Sequence, residues 1–228
     1  MSNNIYVGWD SREDIAYQVC EHSIRRRTNQ NSVNVSPLKQ SELREQKLYW
    51  REQDKLSSTE FTITRFLVPH LNKFTGWAAF CDCDMVWRSD PSELFSQVDD
   101  SKAVMVVKHD YTPQEGTKMD GQLQMPYPRK NWSSMILWNC GHPKNKALDL
   151  ETVNTASPSF LHRFEWLDDE DIGTLDHSWN WLVGWYDVER DGDPKIIHYT
   201  EGGPWFEETR DCEFGHIWKQ ELINLYSS

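Results

Sequence analysis

An α/β sandwich around a mainly parallel sheet, flanked by helices, is the fold class this sequence predicts, and three observations predict it. Short apolar runs alternate with helix-start signals along most of the chain. The run Trp77-Ala78-Ala79-Phe80-Cys81, bounded by Gly76, is continuous where a half-exposed strand would alternate, as a strand covered on both faces requires. The 228 residues suffice for one domain of ordinary size. No repeat, low-complexity tract or linker divides them, so residues 1–228 read as a single domain with a short helical C-terminal end.

Each element has its own signal. Ile5-Tyr6-Val7 predicts a first strand, followed by the polar turn Asp10-Ser11-Arg12. Ser11 and Asp14 have the spacing of a capping box, opening a helix to about Arg27 with Ile15, Val19 and Cys20 on one face. Val33-Asn34-Val35 predicts a second strand, and the charged residues 41–51 are helix-prone. Residues 62–71 carry Ile63, Phe66, Leu67 and Leu71 at helical spacing. In Asp90-Pro91-Ser92-Glu93 an N-cap, a first-turn proline and an acid start another helix. Residues 103–107 and 135–138 are further strands, separated by a long polar loop over 110–131. Ser157-Pro158 opens a helix, and residues 195–199 read as a late strand. Strand directions are open at this level, so an antiparallel edge is compatible with the pattern.

Composition narrows the function classes. Lys and Arg total 24 against 36 Asp and Glu, a net charge of -12, which opposes binding to a polyanion; no nucleic-acid partner is expected. Five cysteines, odd in number and with a single Cys-x-Cys, favour buried thiols in a reducing compartment over a disulfide framework. No run of 18 apolar residues occurs and the first four residues are polar apart from Met1, so neither a membrane span nor a secretory signal is expected, and the expected location is cytoplasmic. The 12 Trp enlarge the core, and Trp132, Trp166, Trp179 and Trp181 are either core residues or platforms for a sugar ring.

The chemistry concentrates at Phe80-Cys81-Asp82-Cys83-Asp84-Met85. Along an extended segment side chains alternate, so Asp82 and Asp84 share one side and Cys81 and Cys83 the other. Two carboxylates at the carboxyl end of a buried strand suit a hard divalent cation, and that end of an open α/β sheet is where ligands bind. Without a cation the pair would repel and raise one another's pKa. Asp-x-Asp also occurs at Asp169/Asp171 and Asp191/Asp193, but only Asp82/Asp84 follows a strongly apolar strand. Two solvated turn acids are the plainer alternative, and zinc on the thiols is opposed by the alternation. His198 ends the late strand ahead of Gly202-Gly203-Pro204-Trp205, where it is either a packed histidine or a ligand.

Four blocks, in order, resemble the core of a GT-A-fold (Rossmann-like) glycosyltransferase of family 8, the glycogenin and bacterial lipopolysaccharide galactosyltransferase group. They are Tyr6-Val7-Gly8-Trp9-Asp10-Ser11-Arg12; Thr64-Arg65; the Asp-x-Asp at Asp82 and Asp84; and His198-Tyr199-Thr200-Glu201-Gly202-Gly203-Pro204-Trp205. The resemblance implies a nucleotide site at Val7, Gly8, Asp10, Arg12, Arg65, Asp82 and Cys83. It implies a metal site of Asp82, Asp84 and His198, with Mn²⁺ as cofactor and Mg²⁺ as substitute. The diphosphate and donor sugar would meet Lys130, Ser133, Ser134, Gly202 and Gly203, and Asp169 or Asp171 would act at the anomeric carbon. The family's lysine before Pro-Trp is Gly203 here, and its Asp-Gln motif has no clean counterpart. The implied activity is transfer of a hexose from a UDP-sugar, with retention, to a glycan, lipid or protein acceptor. The alternative is a nucleotide-sugar-binding protein with only slow UDP-sugar hydrolysis.

Overall fold

Residues 3–28, 32–52, 58–109, 116–117, 123–124, 129 and 131–227 are described by a computed structural model. Its strands, in chain order, are β1 (Asn3–Gly8), β2 (Val33–Leu38), β3 (Trp77–Cys81), β4 (Met85–Trp87), β5 (Val104–Val107) and β6 (Gly116–Thr117). They continue with β7 (Leu123–Gln124), β8 (Met135–Asn139), β9 (Ile172–Leu175), β10 (Trp181–Leu182) and β11 (Ile196–His198). The helices are α1 (Asp14–Arg26), α2 (Gln40–Glu45), α3 (Val68–Leu71), α4 (Pro91–Phe95), α5 (Leu150–Thr155), α6 (Pro158–His162), α7 (Val188–Asp191) and α8 (Gly215–Ser227).

The main sheet has the order β2-β1-β3-β8-β5-β9. β1 runs parallel to β2 and β3, and β5 parallel to β9; β8, between β3 and β5, is antiparallel to both. The fold class is therefore the expected one, a mixed and mostly parallel sheet flanked by helices. Every residue of β5 and β8 is buried, and in β3 only Trp77 is partly exposed, which explains runs without polar alternation. A second sheet, β10-β11-β4, sits beyond the end of β3, with β4 antiparallel to β11. Helix α1 packs on β4, and α8 packs on α1.

Local differences from the sequence expectations have physical causes. Helix α1 is capped by Glu13 without a side-chain bond, and the expected box at Ser11 does not form. Ser11 instead donates to Glu60, while Asp14 accepts from Trp9 Nε1 at 2.7 Å. Helix α2 ends early because Lys47 turns left-handed (φ 57°) and Leu48 N–H closes back onto the Leu43 carbonyl at 2.9 Å. Residues 62–71 split into a 3₁₀ turn and α3, since Pro69 has no N–H for the Arg65 carbonyl. Asp90 and Ser157 do cap their helices, accepting from Ser92 and Phe160 N–H. All five cysteines are free, four of them buried. Among the described residues no helix is long and apolar enough to cross a membrane.

Candidate functional site

Where β3 ends, the chain must leave the core, and its alternation sends Cys81 and Cys83 inward and Asp82 and Asp84 outward. Burial pushes the Cys83 thiol well above its ordinary pKa, with the neighbouring carboxylates adding to the effect. The expected nucleotide role of Cys83 can thus only be a backbone one. The small sheet then brings in the third group. His198 lies opposite Met85 in the β4–β11 ladder, and Tyr199 N–H donates to the Asp84 carbonyl at 2.9 Å. His198 Nε2 stands 3.4 Å from Asp84 Oδ1, and ligand atoms of Asp82, Asp84 and His198 all lie within 4.8 Å of one another. Two carboxylates and one imidazole, converging on one point at the carboxyl end of a buried strand, form a donor set that fits Mn²⁺ or Mg²⁺.

Arg65 organises the other side. Its guanidinium contacts Asp82 Oδ1 at 2.9 Å and donates to the Ser133 carbonyl at 2.7 Å. It packs against Phe61 and Phe80, with ring centroids at 5.3 and 4.9 Å. The Asp82 N–H donates to the Ser134 carbonyl at 2.9 Å, so Ser133 and Ser134, in the 3₁₀ turn just before β8, lie against the metal-type cluster. Ser133 Oγ bonds His162 Nδ1 at 2.8 Å and Ser134 Oγ donates to the Asn131 carbonyl at 2.7 Å.

Asp10, fully buried, works as a loop organiser. Its carboxylate accepts from Arg12 N–H, Arg12 Nε and Nη2, and Glu60 N–H, all between 2.8 and 3.0 Å. Burial pushes its pKa up, but the Arg12 and Glu60 hydrogen bonds and the Arg12 charge outweigh that and leave it lowered. Arg12 is thereby bound back to the loop and also donates to the Ser58 carbonyl at 2.6 Å. Val7 is buried in β1, and Gly8 has a packing reason: a Cβ there would sit 2.5 Å from the Phe61 ring. Glu13, on the next turn, is missed by sequence reasoning. Burial pushes its carboxyl up to about 7, helped by Asp84 and Asp10, while it accepts from Trp205 Nε1 at 3.2 Å.

The late glycines divide in role. Gly202 needs its positive φ of 108°, but its N–H goes to the Tyr199 carbonyl at 2.9 Å and is spent within the turn. Gly203 is required by Trp205, whose ring lies 1.9 Å from where a Cβ would be. Lys130 falls outside the described residues.

Asp169 and Asp171 are not brought to the cluster. Ala103 N–H bonds the Asp171 carbonyl at 2.8 Å, level with Asn139 and Trp77. Cys81 and Met135 lie four residue steps away, roughly 13 Å along the strands. Asp171 is held by Lys144 at 2.5 Å, and Asp169 pairs with Arg129. The acid that leaves β9 at the same end as Cys81 is Asp176, which caps the next turn through Ser178 N–H at 2.9 Å. The remaining unforeseen members are Asn180, His109 and Tyr186, linked to His198 by hydrogen bonds. Their partners stand 18 to 77 positions away in sequence, so no local pattern marks them.

Known structures of similar shape are glycosyltransferases. The apo structure of the bifunctional glycosyltransferase WbbM superposes with a TM-score of 0.62 at 16% identity, over 99% of this chain and 51% of that one. Apo GlyE from Streptococcus pneumoniae TIGR4 gives 0.64 at 12% identity, over 98% and 60%. The galactosyltransferase LgtC, in complex with donor and acceptor sugar analogues, gives 0.56 at 10% identity, over 97% and 95%. The chain thus spans about half of WbbM and three fifths of GlyE, but nearly all of LgtC. At such low identities these superpositions show the fold alone, a GT-A-type one. No protein-family model matches the sequence. Among curated proteins, "Protein CDI" of Arabidopsis thaliana is 55% identical over 221 residues, 96% of this chain and 85% of that protein. On that identity, over almost its full length, the chain belongs to the protein CDI family.

Proposed function

We propose that the protein is a metal-dependent glycosyltransferase that moves a hexose from a UDP-sugar to an acceptor hydroxyl on a glycan, lipid or protein, with retention of configuration. The observation that carries the reading is the convergence of Asp82, Asp84 and His198 at the carboxyl end of β3 in a GT-A-type fold. Bound there, Mn²⁺ or Mg²⁺ supplies Lewis-acid stabilisation of the charge that develops on departing UDP. Asp82 and Asp84 offer carboxylate oxygens and His198 its Nε2. Arg65 orients Asp82, and its buried guanidinium is held against the Phe61 and Phe80 rings. The β1–α1 turn, braced by Asp10, borders the same end of the sheet and is the proposed wall of the nucleotide slot, with Arg12 on its phosphate side. Ser133 and Ser134 are proposed to border the donor sugar. Asp169 and Asp171 have no role in this mechanism, and front-face departure and attack requires no enzyme nucleophile. Free, buried thiols favour a cytoplasmic location.

Calorimetry of UDP binding with and without Mn²⁺ tests the reading. Asp84→Ala is expected to abolish the Mn²⁺-dependent part of the affinity while leaving the far-UV spectrum unchanged; a variant with undiminished metal dependence overturns the metal assignment. A donor screen with UDP-glucose, UDP-galactose and their N-acetyl forms then separates transfer from hydrolysis. Transfer gives an acceptor-dependent glycoside, whereas free sugar and UDP as sole products identify a nucleotide-sugar-binding protein that only hydrolyses slowly.

A further inference from the structure

Asn180 is fully buried at the end of a 3₁₀ turn, directly before β10, and its amide meets four groups. Nδ2 lies 2.9 Å from Ser134 Oγ, 3.0 Å from His109 Nε2 and 3.4 Å from the Asn131 carbonyl; Oδ1 lies 2.8 Å from His198 Nδ1. These partners determine which way the amide points. Ser134 Oγ gives its hydrogen to the Asn131 carbonyl at 2.7 Å, so toward Asn180 it can only accept. The Asn131 carbonyl is itself an acceptor only. Both demand the NH₂ on that side, which leaves the amide oxygen facing His198. An oxygen that only accepts requires a hydrogen on Nδ1, and a neutral imidazole with Nδ1–H has its lone pair on Nε2. Nε2 is the atom 3.4 Å from Asp84 Oδ1.

We propose that Asn180 is a positioning residue: it holds His198 in the Nδ1–H tautomer, so that the Nε2 lone pair is presented to a divalent cation shared with Asp82 and Asp84. Only the cation rests on the proposed function; the hydrogen on Nδ1 follows from this chain's own hydrogen bonds. The next link supports the same polarity. Burial takes the His109 pKa down to about 3, so His109 is neutral, accepts from Asn180 on Nε2 and directs Nδ1–H at Tyr186 oxygen, 2.7 Å away. In the opposite tautomer, Asn180 Oδ1 and His198 Nδ1 would be two buried acceptors face to face. Metal-bound histidines are commonly oriented through the ring nitrogen that does not bind, and loss of that partner weakens metal binding about 10- to 100-fold.

Long-range ¹H–¹⁵N correlation spectra of protein labelled in its histidines, without metal and at about pH 8 where free imidazole is neutral, read the tautomer directly. The His198 signals are assigned by their loss in His198→Gln. The expected wild-type spectrum has the hydrogen of His198 on Nδ1. Asn180→Asp retains an acceptor and should keep that tautomer. Asn180→Leu removes the acceptor and should shift His198 toward Nε2–H, with Mn²⁺ affinity falling about 10- to 100-fold by electron paramagnetic resonance titration. A merely structural Asn180 would lower the melting temperature of Asn180→Leu and leave tautomer and Mn²⁺ affinity alone, which overturns the proposal. A wild-type His198 with its hydrogen on Nε2 overturns it as well, even if Asn180→Leu does not fold. If wild-type protein binds no Mn²⁺, the metal reading fails, while the wild-type tautomer still judges Asn180.

Discussion

Arg65 packs against the Phe61 and Phe80 rings, and its Nη1 meets both Asp82 and the Ser133 carbonyl, so the charge beside the cluster is a fixed part of the fold. Glu13 is the residue that feels the cluster's negative charge most plainly. Its carboxyl, pushed up to about 7 by burial and then by Asp84 and Asp10, keeps in the folded state a proton that the unfolded chain releases near its ordinary pKa of 4.5. The folded state therefore binds the extra proton between those two values, and stability falls as pH rises through that window and stays lower above it. Glu13→Gln should flatten this slope and raise the metal-free melting temperature at about pH 8. Melting curves at several pH values check it; a variant with the wild-type slope would show that Glu13 is not protonated near neutrality. Asp82 and Asp84 are legible in sequence because strand alternation at the end of an apolar run marks them, and His198 through the resemblance of the block that follows it. Glu13, Asn180 and the Arg65–Asp82 pair are not, since each depends on groups tens of positions away. Asp10 was legible as a site residue but for another job, the saturation of its carboxylate being visible only in three dimensions.

At the scale of elements, β3, β5 and β8 are legible because burial on both faces leaves a continuous apolar run, whereas the short strands β4, β9 and β10, and β6 and β7 within the expected loop, carry no such run and are not foreseen. Helices with a proline or a true cap, at Asp90 and Ser157, are equally plain. The Ser11 signal misleads because the helix starts two residues later, with Glu13 as its N-cap, while the Ser11 hydroxyl and N–H both donate to Glu60, 49 positions on. The C-terminal helix α8 shows how an element is fastened by one residue. Glu221, 3% exposed, faces α1 and takes Arg27 at 2.6 Å, Arg26 at 3.2 Å and His22 at 3.2 Å. Both arginines keep some solvent, so the strong penalty of a fully dry pair does not apply. Loss of these charge-assisted bonds in Glu221→Ala is expected to cost about 1.5–3 kcal/mol. Urea unfolding measures it, and a change within roughly half a kcal/mol, the level of an ordinary surface substitution, would mean that α8 is held by Trp218 and its apolar neighbours alone. Since α1 also carries Glu13 at its cap, detaching α8 should loosen the site from behind.

For the whole molecule the decisive contrast is between a net charge of -12 and the proposed ligand, which carries two phosphates. An acidic protein can bind a diphosphate only if positive charge is supplied locally. Arg65 is committed to Asp82 and Arg12 to Asp10, so both cations are largely neutralised by the chain itself. A divalent ion at Asp82, Asp84 and His198 would reverse that local sign. The molecule should thus bind nucleoside diphosphates weakly without metal and far more tightly with it. The base should matter next. Gly8 is covered by the Phe61 ring, and the following turn is closed by Asp10 onto Arg12 and residue 60. The proposed uridine assignment predicts that a pyrimidine diphosphate binds ahead of a purine one. Thermal-shift measurements with UDP, CDP, GDP and ADP, each with and without Mn²⁺, test both levels, because at equal concentration the ligand that binds the native state more tightly raises the melting temperature more. The expected order has UDP with Mn²⁺ first and every metal-free nucleotide near the baseline. A larger shift with GDP at equal concentration would overturn the uridine assignment and spare the metal cluster. Equal shifts with and without Mn²⁺ would do the reverse, leaving a nucleotide site whose positive charge must come from a part of the chain other than Arg12 and Arg65.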